Sequence, residues 1–120
     1  MLKELYHVLL KKARVTEKIY NYTLDIGLND KNTLKQEITT EKAIQIIKDN
    51  TFSVCGGYTL RQCDGAYTMN SGEAVQEKSI QLDIKYTTQK KIYELIEILK
   101  VELNQESIGL KVERVKYLYA

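Results

Sequence analysis

Residues 20–28 read Tyr20-Asn21-Tyr22-Thr23-Leu24-Asp25-Ile26-Gly27-Leu28, apolar at every even position and polar or glycine at every odd one. Successive side chains of a strand point to opposite faces, so this run predicts a strand with one face on a core and one in water. The same pattern returns downstream. Ile80, Leu82, Ile84 and Tyr86 share one parity, while Glu77, Ser79, Gln81, Asp83 and Lys85 share the other.

Two further strands are less regular. In GGYTLRQCDGAYT (residues 56–68), Tyr58, Leu60, Gln62 and Asp64 oppose Thr59, Arg61 and Cys63, and Asp64-Gly65 reads as a kink or bulge. Asp-Gly is also a hairpin dipeptide, but Asn70-Ser71-Gly72 makes the better turn. The last strand carries Ile108, Leu110 and Val112 and then changes phase at Arg114, because Val115, Tyr117 and Tyr119 continue on the other parity. A bulge or a second short strand is the expected remedy.

Between the strands the period becomes helical. Thr39 or Thr40 caps a helix bearing Ala43, Ile44, Ile46 and Ile47 that is expected to end near Asp49-Asn50. Thr87 or Thr88 caps a second, whose stripe is Ile92, Leu95, Ile96, Leu99 and Leu103, with Asn104 as its stop. Ahead of everything, Leu2, Leu5, Tyr6, Leu9 and Ala13 mark an amphipathic N-terminal helix. The expectation is α+β, a single domain over 1–120: an N-terminal helix within 1–18 and a ferredoxin-like βαββαβ core over 19–120. Its four-stranded antiparallel sheet carries both helices on one face. The expected core is Leu24, Ile26, Ile44, Ile47, Leu82, Ile84, Leu95, Ile96, Leu99 and Leu110.

Composition narrows the function. Eighteen basic against sixteen acidic residues leave a net charge of +2, too balanced for a dedicated nucleic-acid binder. Tyrosine appears nine times against one phenylalanine and no proline or tryptophan, a bias that fits an AT-rich genome or a mobile element within one. Cys55 and Cys63 match no metal or redox spacing and His7 is the single histidine, so no metal and no cofactor are expected. The charged N-terminal stretch resembles neither a leader nor a membrane span, which makes the cytoplasm the expected location.

The chemistry-bearing residues gather on the polar parity and in the connections. Arg61 offers a planar fork for carboxylate or phosphate, and Arg114 a second. Tyr67 supplies an amphipathic wall. Asp64 and Glu77 form a candidate carboxylate pair. Gln105 and Glu106, between the last helix and the last strand, are placed to reach Glu77 and Ser79. No glycine-rich phosphate loop is present.

The segments GGYTLRQCDGAYT, VQEKSIQL (75–82) and LNQESIGLKVERV (103–115), in that order, resemble an uncharacterised family of small bacterial proteins of unknown function. The resemblance spans about residues 20–117 and rests on Gly27, Leu28, Gly57, Gly65, Glu77, Ser79, Gln105, Glu106 and Ser107. Family members often carry tryptophan where this chain has Tyr67, and many look exported, whereas this chain does not. The family brings an element order but no activity.

The reading is therefore a non-catalytic module that binds a small anionic ligand such as a nucleotide or metabolite, and a homo-oligomer, expected as a dimer because the apolar stripe of the N-terminal helix needs a neighbouring subunit to cover it. Its ligand residues are Arg61, Asp64, Tyr67, Glu77, Ser79, Gln105, Glu106 and Arg114, with the loop 29–38, and a phage or mobile-element protein that sequesters a signalling ligand suits it. A metal-free enzyme using carboxylate or tyrosine acid–base chemistry is the alternative, or a subunit docking a partner through the N-terminal helix.

Overall fold

A computed structural model describes residues 15–119, with side chains from Ile19 onward. The elements are β1 (Val15–Gly27), α1 (Thr40–Cys55), β2 (Thr59–Thr68), β3 (Ala74–Ile84), α2 (Gln89–Glu102) and β4 (Gly109–Tyr119). The strands form one antiparallel sheet in the order β2-β3-β1-β4, so β1 and β3 lie inside and β2 and β4 are the edges. This is the ferredoxin-like arrangement.

The parity of β1 decides which side is covered. Tyr22, Leu24, Ile26 and Leu28 are buried with Ile80, Leu82 and Ile84 of β3, Ala43 and Ile47 of α1, Ile92, Leu95 and Leu99 of α2, and Leu103, which caps α2. Of the expected core, Ile44, Ile96 and Leu110 are only partly buried, at its margin. A fully buried aliphatic side chain contributes roughly 1.5–3 kcal/mol relative to exposure, so this cluster is the main source of stability. The opposite parity forms an open polar face.

Helix ends follow hydroxyl caps. The Thr39 hydroxyl accepts the Lys42 N–H at 3.2 Å, and the Thr88 hydroxyl accepts the Lys91 N–H at 3.2 Å. Helix α1 runs past Asp49-Asn50 to Cys55, because Thr51 continues its buried face, and it stops at Gly56, left-handed at φ +82°. Helix α2 stops at Asn104, also left-handed at φ +48°, a conformation asparagine tolerates better than most residues.

Three further sequence expectations are corrected. Residues 15–18 belong to β1 rather than to an N-terminal helix, and positions 2–14 of that helix lie outside the described residues. No bulge interrupts Asp64-Gly65: the β2–β3 register runs unbroken from Thr59↔Asp83 to Thr68↔Ala74. The hairpin turns at Met69–Glu73, as Asn70-Ser71-Gly72 predicts, and Gly72 has φ +88°. β4 is also continuous, pairing with β1 from Gly109↔Asp25 to Tyr119↔Val15. The phase change at Arg114 is harmless there, because β3 ends opposite Tyr22 and the rest of β1 pairs with β4 alone. In that two-stranded ribbon both faces meet water, and Tyr20 is exposed.

Candidate functional site

Where β1 leaves the sheet, its last open-face residue is Gly27, in register with Ser79. Glu77, two residues before Ser79 on the same face, extends its carboxylate over Gly27 instead of into water. The Asn29 N–H donates to Glu77 Oε2 at 2.9 Å, and the Asn29 side-chain amide donates to the Gln76 carbonyl at 3.3 Å. A strand end, a glycine and a loop amide therefore fix this carboxylate.

The segment after α2 closes the site from the other side. Gln105 is buried, and its amide donates to the Asn29 carbonyl at 2.7 Å and to the Leu103 carbonyl at 3.3 Å. Asn104 donates to Asp30 Oδ1 at 2.7 Å, while its carbonyl accepts the Lys31 N–H at 3.0 Å. The Asn104 side chain, then the backbone N–H of Asn32, hold the Asp30 carboxyl below its ordinary range. It stays ionised at neutral pH.

These contacts enclose a concavity of about 370 Å³ on the open face. Its walls include Tyr67, Glu77, Ser79, Gln105, Glu106 and Ser107, with Asp25, Gly27 and Gly109 as floor and Asn29, Asp30, Lys31 and Leu34 from the loop. Four carboxylates thus face one lysine. Five of the expected ligand residues meet here: Tyr67, Glu77, Ser79, Gln105 and Glu106.

Arg61, Asp64 and Arg114 do not join them. Arg61 lies along the sheet, with Nη1 2.7 Å from Asp83 Oδ2 and Nη2 donating to Gln81 Oε1 at 3.2 Å. Asp83 also accepts the Thr23 hydroxyl at 2.7 Å. Asp64 stands opposite Lys78 on the helix-side parity of β2 and lines a separate groove with Lys35, Gln36 and Ala66. Arg114 sits opposite Tyr20 in the ribbon. Among the described residues, no arginine fork lines the concavity.

Sequence reasoning missed Asp25 and Gly109, and it placed Asn29 and Asp30 only within the loop 29–38. Gly27 on a polar parity was the available signal, since a glycine among side chains facing water marks a close approach. Among the described residues, no group of three or more His, Cys, Asp or Glu side chains is arranged to hold a metal ion, and no helix is long and apolar enough to cross a membrane.

No protein-family model and no curated protein matches the chain, in keeping with its resemblance to proteins of unknown function. Solved structures do match. A phage SAM lyase in complex with S-methyl-5'-thioadenosine superposes with a TM-score of 0.60 at 22% identity, covering 83% of this chain and 88% of that one. CutA from Synechococcus elongatus gives 0.57 at 11% identity, covering 87% and 86%. The periplasmic divalent cation tolerance protein CutA from Archaeoglobus fulgidus gives 0.54 at 10%, covering 79% and 83%. At these identities the likeness establishes a shared α+β fold, and the fold is what these proteins have in common with this chain.

Proposed function

We propose that the concavity binds S-adenosylmethionine or a closely related nucleoside sulfonium, and that the chain is a small lyase acting on it. The observation that carries this reading is the charge of the walls: among the described residues, Asp25, Asp30, Glu77 and Glu106 line the space with Lys31 as the one cation. Such a site favours a cationic ligand. The anionic ligand inferred from Arg61 and Arg114 gives way to a cation, because neither arginine reaches the concavity. The phage SAM lyase of similar fold supports the choice among cations, and a phage or mobile-element origin accords with it.

The residues suit the parts of such a ligand. Glu77, held by Asn29 through one oxygen, keeps the other for a ligand hydroxyl or ammonium group. Tyr67 supplies an amphipathic wall, its ring about half exposed. In an elimination, a carboxylate takes a proton from the carbon next to the one bearing sulfur. A carbon–carbon double bond forms, the carbon–sulfur bond breaks, and its electron pair leaves with a neutral thioether. Glu77 and Glu106 are the candidate bases.

Calorimetric titration with S-adenosylmethionine and with S-methyl-5'-thioadenosine tests binding, and mass spectrometry of the incubated mixture tests turnover. Glu77→Ala should weaken binding by about 1.5–3 kcal/mol, the scale of a charged hydrogen bond. Binding without thioadenosine release would establish a non-catalytic binding module. Absence of binding at millimolar concentration would end the sulfonium reading.

Self-association is part of the same proposal. Among the described residues, both edge strands, β2 with 10 residues and β4 with 11, have no partner on their outer side, and β2 carries no lysine or proline to blunt its edge. A second copy adding to one edge would satisfy them. A monomeric mass by light scattering at micromolar concentration would count against it.

A further inference from the structure

We infer that Gly27 is a positioning residue for the Glu77 carboxylate, an inference that takes its functional readout from the ligand proposed above but its geometry from the chain alone. A β-carbon at Gly27 would stand 2.6 Å from both Cδ and Oε1 of Glu77 and 2.7 Å from Oε2. All the terminal atoms of the carboxylate thus lie over the glycine. The backbone does not ask for glycine here: Gly56 and Gly72 are the glycines with positive φ, whereas Gly27 is in ordinary strand. Gly27 closes β1, an inner strand of the sheet, and with no turn to serve there its missing side chain answers a need for room.

That room has one occupant. Glu77 reaches diagonally from the position opposite Gly65 to lie on Gly27, where the Asn29 N–H meets it. Any β-carbon would push the carboxylate off that donor and out over the concavity. The other floor glycine repeats the device more loosely, since a β-carbon at Gly109 would lie 3.3 Å from Asp25 Cβ. Gly65 supplies the contrast, because a β-carbon there would make ordinary contact with the Glu77 carbonyl at 3.6 Å.

Gly27→Ala should therefore act through Glu77. In the full chain its affinity for S-adenosylmethionine should fall roughly tenfold to a hundredfold, the range of one charged hydrogen bond. The Asn29 amide should exchange faster with solvent deuterium as it loses its acceptor. Adding Gly27→Ala to Glu77→Ala should cost nothing more, while Gly65→Ala should leave affinity and the Asn29 amide unchanged. Wild-type affinity in Gly27→Ala, or a full additional loss on top of Glu77→Ala, would overturn the inference. If the wild-type chain ignores S-adenosylmethionine, the proposed function fails, and the Asn29 amide still decides: unchanged exchange in Gly27→Ala overturns the positioning role, and faster exchange upholds it. If Gly27→Ala does not fold, recovery of the fold in Gly27→Ala/Glu77→Ala locates the clash at Glu77, and no recovery overturns the inference.

Discussion

Gln105→Ala is the most telling perturbation, because Gln105 joins the site to the fold. Its side chain is only 8% exposed and donates to two carbonyls, Asn29 at 2.7 Å and Leu103 at 3.3 Å. Alanine removes both donors and leaves two carbonyls short of a partner. A neutral hydrogen bond is worth about 0.5–1.5 kcal/mol net, and the longer bond belongs at the low end, so the loss should be about 1–3 kcal/mol. In a domain of this size that lowers the melting temperature by several degrees. Gln105→Glu should do worse at neutral pH, since it turns a carboxylate toward the same carbonyls near Glu77 and Glu106, and should recover in part when acid protonates it. Urea denaturation at pH 7 and pH 4, together with ligand affinity, measures both variants. A loss below about 0.5 kcal/mol in Gln105→Ala, the size of an ordinary surface substitution, would refute the claim that this amide ties the loop to the helix end.

Two further expectations concern the rest of the fold. Leu99 is fully buried between α2 and the sheet, so Leu99→Ala should cost roughly 2–5 kcal/mol in urea denaturation. Burial raises the Asp83 pKa, but hydrogen bonds from Arg61 and Thr23 outweigh it and leave the group below its ordinary value of 3.8. A depressed carboxylate stabilises the fold above that ordinary value and loses its contribution as pH falls through the folded one. Acid unfolding should accordingly be less steep in Asp83→Asn, and an identical profile would remove Asp83 from the account.

The layered core was legible because its constraint is local. Period two in residues 20–28 and 80–86, hydroxyl caps at Thr39 and Thr88, and a turn at residues 70–72 each report their element through neighbouring residues. The misreadings arose where no core enforces parity. Beyond Tyr22 the ribbon has water on both faces, so Val115 and Tyr117 change phase without bending β4. Asp64-Gly65 stays straight because Lys78 and Glu77 are in register across it. In the site, Tyr67, Glu77, Ser79, Gln105 and Glu106 were found from polar residues at strand ends. Asp25 was not, because its role depends on register with β4, and Asn29 and Asp30 were reached only as members of the loop 29–38, since the hold of Asn104 on that loop has no local signature.

The long pairing of β1 with β4 also bears on how the chain folds. The β2–β3 hairpin and both helices join residues close in sequence, whereas β1 and β4 bring together the opposite ends of the described chain. Closing so large a loop costs entropy before any of its contacts form, so this pairing is expected to form late, and a chevron in which β4 substitutions change the unfolding rate and leave the folding rate unchanged would bear that out. Until it forms, β1 is itself an edge, and the strand that carries Tyr22, Leu24 and Ile26 into the core waits with one row of backbone donors and acceptors unpaired.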